Sequence, residues 1–123
     1  RMAKSKGGSG GAIVNVSSVA ARLGSPGEYV HYAASKAAVK TFTIGLAKGI
    51  GGENIQSNAL QAGTMDTDIQ KSSGNPDRPA MVAAMLPLGH VASSGDISAG
   101  ILWLASPESS YVTGAVLPVG GGF

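Results

Sequence analysis

Tyr32 and Lys36 stand four residues apart, a spacing that stacks both side chains on one face of a helix. A free phenol titrates at about 10, too high to serve as a base at neutral pH. An ammonium group nearby favours the phenolate and brings that value down. Such a pair can exchange a proton with an alcohol or carbonyl oxygen. Ser18 lies where a β-branched run opens into a loop, and its hydroxyl can hydrogen-bond the same oxygen. The carboxyl ends of parallel strands are where α/β sheets bind ligands. Ser17 is the runner-up for that role, with its side chain expected to point the other way, into the sheet. Tyr29 competes with Tyr32, but four residues on from it stands Ala33, so it reads as a substrate-side wall. His31 and His90 are conceivable bases, yet isolated histidines are mostly structural or exposed. Asp66 and Asp68 could suggest a metal pair, but acids in loops are usually solvated or capping, and no metal site is expected.

The elements that must position these residues follow from periodicity and punctuation. Residues 1–11 are Gly-, Ser- and Lys-rich and read as a frayed helix end and a flexible turn. The apolar run 12–17 predicts a strand buried on both faces, hence parallel and central. A loop over 18–28 carries Gly24, Pro26 and Gly27. The helix holding Tyr32 and Lys36 is expected over 29–50, with Val39, Phe42, Leu46 and Ile50 as its core stripe. Ala33, Ala34, Ala37 and Ala38 form a second surface of small residues, and Gly49, Gly51 and Gly52 end the helix. A second strand is expected over 55–60, more polar than a central strand should be. The stretch 61–78 reads as a long irregular loop of functional character. A short helix follows over 78–85, stopped by Pro87. Ser93 to Asp96 form a capping box that opens a helix running to about Ser106. The strand 114–119 and a triple-Gly turn complete a β-α-β pattern followed by helices and a strand, the order of a parallel α/β sheet.

Composition excludes several function classes. With 43% hydrophobic and 13% charged residues, the chain is no disordered tail, and its 123 residues suffice for one domain. Its net charge of +2 comes from scattered basic residues, with aromatics at 5%. A nucleic-acid surface needs clustered Lys and Arg with stacking rings, so that class is rejected. Cys is absent, which removes disulfides and thiol catalysis. No apolar run approaches the roughly 20 residues of a membrane span, and the basic, Gly-rich start is unlike a signal peptide. A cytoplasmic protein is the expectation.

Taken together, Val14 to Ala20, Gly24 and Tyr32 to Val39 resemble the active-site stretch of the short-chain dehydrogenase/reductase family. Asn58, Ala62-Gly63 and Asp66 to Asp68 resemble that family's strand and following loop. Tyr111 to Gly114 with Val119 to Gly121 resemble its C-terminal strand. The resemblance covers residues 11–123 and implies an α/β fold, the second half of a Rossmann-type doubly wound parallel sheet. It implies an NAD- or NADP-dependent oxidoreductase that interconverts a small alcohol and a carbonyl by hydride transfer. Tyr32 would be the general acid/base, Lys36 would assist it and hold the nicotinamide ribose, and Ser18 would fix the substrate oxygen. Gly63, Met65 and Thr67 would contact the cofactor. Sugar dehydrogenases and 3-oxoacyl reductases are the members most similar in look.

The family's Gly-rich phosphate loop has no counterpart here, because Gly7 to Gly11 precede a strand instead of following one. The chain is therefore expected to be the C-terminal part of a single dinucleotide-binding domain, inactive alone. Ala62 stands where the family has Pro, Ser57 where it has an apolar residue, and Gly120 to Gly122 where its ending is more polar. A non-catalytic assembly module is the competing expectation. With the family's first half missing, strand 12–17 is expected to expose an unpaired edge on either reading, and a homo-oligomer is expected.

Overall fold

Strand β2 (Ile55–Ala62) lies between β1 (Gly11–Ser18) and β3 (Val116–Val119), and both of its neighbours run parallel to it. The computed structural model describes residues 1–69 and 74–123. The stretch 61–78 thus falls partly outside the described residues. The α/β class and the parallel pairing agree with expectation. β1 is parallel but forms the edge of this three-stranded sheet, and Val16 on it is 44% exposed. Its place at the edge corrects the expectation of a central strand, while one face meets the helix Val30–Ile50 through Asn15 and Ser17 and the other meets the core through Val14.

The polar character of β2 has a structural cause. Residues 109–115, leading into β3, need partners for backbone groups that enter no ladder. Gln56 Nε2 donates to the Ser109 and Val112 carbonyls at 2.6 and 2.9 Å. Asn58 Nδ2 donates to Val112 O at 2.8 Å, and its Oδ1 accepts the Ala115 N–H at 3.0 Å. Thr113 Oγ1 accepts the Ser57 N–H. Gln56 and Asn58 are carried in this strand of eight buried or nearly buried residues because they are paired, while the buried Ser57 Oγ and Gln61 Nε2 have no hydrogen-bond partner among the described residues.

Three helices matter for the site. α1 (Ala20–Leu23) is a single turn inside what reads in sequence as a loop. α2 (Val30–Ile50) agrees with the expected helix, Tyr29 standing at its N-cap. Its buried residues are Ala33, Thr43 and Ala47, not the Val39–Phe42–Leu46–Ile50 stripe, and Phe42 is 61% exposed. The reason is close approach to β1: Asn15 Nδ2 donates to Thr43 Oγ1 at 3.0 Å, and Ser17 Oγ donates to the Lys36 carbonyl at 2.8 Å. Small and hydroxyl side chains let helix and strand draw near enough for these bonds. Of the Ala surface, Ala33 faces inward while Ala34 and Ala38 are exposed.

α3 (Arg78–Ala83) is shorter than expected, its last turn loosening before Pro87. α4 (Ser94–Ala105) opens on the expected capping box, with Ser93 Oγ accepting the Asp96 N–H and Asp96 accepting the Ser93 N–H. The Ser93 hydroxyl and N–H hold the Asp96 carboxyl below its usual range. Ile97 and Leu104 of α4 close the core over Leu60 and Ala62. The first ten residues are folded back rather than loose: Gly8 and Gly10 donate to Ala3 and Met2, and Asn54 Nδ2 to Ser9 O. Among the described residues, no helix is long and apolar enough to cross a membrane.

Candidate active site

β1 ends at Ser18, and the Val19 N–H, bonded to Ala62 O at 3.0 Å, is the last link to β2. There the chain turns into α1, with Ser18 Oγ accepting the Ala20 N–H at 3.1 Å. A hydroxyl that accepts in this way keeps its proton for another partner. Tyr32 lies on the first turns of α2, 42% exposed, and shares with Ser18 the wall of an open cleft of about 710 Å³. That size is within the ordinary range for small-molecule sites.

Gly63, Met65 and Thr67 line the same cleft from the far side of β2's carboxyl end. They are held there by strand-like pairing of 63–66 with neighbouring chain. Gly63 N donates to Val119 O at 2.8 Å, Ala92 N to Thr64 O at 3.1 Å and Asp66 N to Ala92 O at 3.3 Å. Gly63 is required by a close crossing: a Cβ on it would lie 2.6 Å from Gly120 Cα. The structure thus brings Ser18, Tyr32, Gly63, Met65 and Thr67 together.

Lys36 is placed differently. Its Nζ lies 5.7 Å from the centre of the Tyr32 ring, but donates to the Val16 carbonyl at 3.0 Å and does not line the cleft. Along a strand in a parallel ladder, successive residues turn their backbone groups to alternate sides. Val19 bonds toward β2, so Val16 points its carbonyl off the open edge of β1. Lys36 therefore caps an edge carbonyl.

The remaining expectations divide. Ser17, on the opposite side of β1 from Ser18, ties α2 to the strand at Lys36 O. Tyr29 and His31 line the cleft, their rings edge to face at 6.4 Å. His90 lies outside the cleft lining, with Nδ1 3.1 Å from Val91 O. Among the described residues no three His, Cys, Asp or Glu side chains converge. Sequence reasoning missed the Glu28–Arg78 ion pair on the cleft wall, at 2.6 Å. Fifty residues separate the two, and no local spacing signals such a contact.

The residues around the cleft suit the nicotinamide end of a dinucleotide. Thr64 and Thr67 bring hydroxyls and Met65 a peptide unit beside an acid–base candidate, on a wall otherwise rich in apolar side chains.

Comparison with known proteins bears on the family and the fold. A family model described as enoyl-(acyl carrier protein) reductase matches residues 1–123. An uncharacterized oxidoreductase of Escherichia coli K12, YgfF, is 47% identical over 122 residues, 99% of this chain and 49% of its own length. The 3-oxoacyl-[acyl-carrier-protein] reductase FabG of Chlamydia muridarum is 42% identical over 112 residues, 91% of this chain and 44% of its own. Among solved structures, a blue fluorescent protein from a metagenomic library, in complex with NADPH, superposes with a TM-score of 0.82 at 37% identity, covering 91% of this chain and 44% of that one. The chain spans about half the length of the curated relatives it matches. With a parallel sheet of this topology and a match along its whole length, the chain belongs to the short-chain dehydrogenase/reductase family.

Proposed function

We propose that this chain is the C-terminal, catalytic part of a single dinucleotide-binding domain in an NAD(P)-dependent oxidoreductase that interconverts an alcohol and a carbonyl. The observation that carries the reading is the meeting of Ser18 and Tyr32 on one cleft wall at the carboxyl end of β1, with Lys36 one turn beyond Tyr32. In the direction of reduction, Ser18 donates a hydrogen bond to the carbonyl oxygen and Tyr32 gives it the phenolic proton. The hydride for the carbonyl carbon would come from NAD(P)H held beside Gly63, Met65 and Thr67. The phenol is thereby left as phenolate, and the Lys36 ammonium, one helical turn away, stabilises that charge. Gly63, Met65 and Thr67 would face the nicotinamide end. In the relatives' names, FabG supports a carbonyl substrate and the NADPH complex supports the cofactor.

Lys36 also favours a second reading for the chain by itself. Bonded to Val16 O, its ammonium is not part of the cleft lining, which suits an inactive assembly module. The exposed Ala34, Ala38 and Phe42 of α2 would be its contact surface in a homo-oligomer.

The test uses the full-length protein that contains this chain. It should oxidise NADPH or NADH when given a carbonyl compound, and Tyr32→Phe should lower the rate by about 10²- to 10⁴-fold. A Tyr32→Phe variant with wild-type turnover would remove the assignment.

A further inference from the structure

The only permanently charged side chains among the described residues of the cleft wall are Glu28 and Arg78, and they are paired. Their contact runs from one guanidinium nitrogen to one carboxylate oxygen, at 2.6 Å. Tyr29 and Asn75 join them around a recess of about 210 Å³. Elsewhere the cleft presents Leu23, Ile69, Met81 and Met85. One end of an apolar cleft thus holds a carboxylate, a guanidinium, a phenol and an amide.

We infer that this recess recognises a neutral hydrogen-bonding group of the substrate, a hydroxyl or carboxamide at the end of an apolar body that carries the carbonyl. The inference rests on the oxidoreductase reading and adds its substrate class. An unpaired arginine would draw anions, since its planar fork matches a carboxylate or phosphate. Here Glu28 cancels that charge, and an incoming anion meets a carboxylate at contact distance. A purely apolar end would strip water from both charges and return no hydrogen bond. A hydroxyl or carboxamide both donates and accepts. It can give a proton to Glu28 and take one from Arg78 without breaking the pair. The pair is partly exposed, at 28% for Arg78 and 47% for Glu28, so it can shift to admit such a group at little cost.

The experiment takes four carbonyl compounds with one alkyl body, ending in hydroxyl, carboxamide, methyl or carboxylate. Their Kd values are measured by calorimetry on the full-length protein with NADPH, in a Tyr32→Phe background that arrests turnover, and kcat/KM is measured in the wild type. The hydroxyl and carboxamide compounds should bind about tenfold or more tightly than the other two. Glu28→Gln should raise affinity for the carboxylate compound by about tenfold, because Arg78 is then unpaired. Arg78→Gln should weaken the hydroxyl and carboxamide compounds and spare the methyl one. A ranking led by carboxylate or methyl overturns the inference. So does a ranking indifferent to both substitutions, or no binding of any of the four. Because the Kd values do not depend on Tyr32 chemistry, failure of the oxidoreductase reading would show separately, as absent turnover in the wild type.

Discussion

Ser18 turns its oxygen toward the Ala20 N–H, and that single bond decides what its proton can do. The proton stays available to another partner, which under the proposed function is the oxygen that Tyr32 protonates. Ser18→Ala in the full-length protein should therefore lower kcat by about 10²- to 10³-fold, as loss of a preorganised donor to a developing oxyanion does. Steady-state kinetics would check it. Ser17 is the internal control, since its hydroxyl is spent on Lys36 O, on the other side of the strand. Ser17→Ala should cost about 1 kcal/mol in a denaturation experiment, the worth of one buried hydrogen bond, and leave a far smaller mark on kcat. At this scale the sequence is most legible where the relation is local. Tyr32 and Lys36 fall on one helical face by spacing alone, and Ser18 falls at a strand end by pattern alone. The partner of Lys36 is a carbonyl 20 residues away, and that of Arg78 a carboxylate 50 residues away. Residue type carries no information about either distance.

Elements divide in the same way. The capping box of α4 and the length of α2 were readable because their signals lie within a few residues. The buried face of α2 was not, because apolar spacing favoured Phe42 while the contact with β1 selected Thr43 and Ala47 for closeness. β2 looked too polar for its place because its partners, 109–115, lie half the chain away. Two predictions belong here. Gly100 sits inside α4, where Ala would ordinarily be favoured by about 1 kcal/mol. A Cβ there would lie 2.7 Å from Leu60 Cδ1 and 3.2 Å from Val119 Cγ2, against a leucine with no exposed surface. Overpacking wins, and Gly100→Ala should destabilise by about 1–3 kcal/mol in urea denaturation. The second concerns acid. Asp96 has its folded pKa depressed by Ser93, so its capping contribution is fully present above the ordinary carboxylate range. It is lost as pH falls through the lowered value. Melting curves followed by circular dichroism from pH 5 downward should show the wild type losing its advantage over Asp96→Asn across that window. A gap of constant size would contradict the cap's charge.

At the level of the molecule, β1 is an edge of the sheet among the described residues, and α2 turns Ala34, Ala38 and Phe42 outward. An apolar helix face beside an open strand edge favours association with another chain. The isolated chain should scatter light as more than a monomer, and Phe42→Lys should shift it toward smaller species; a monodisperse wild-type monomer would contradict this. The Lys36 ammonium gives the open edge a chemical meaning. It occupies a carbonyl that the N–H of an adjoining strand would otherwise take. Supplying that strand, as a polypeptide covering the other half of the relatives' length, should evict the ammonium and send it toward Tyr32. Turnover should then rise in step with hydrogen-exchange protection of β1, and turnover without protection would break the link. One carbonyl thus has two claimants, and pairing of that strand and release of the ammonium would be a single event.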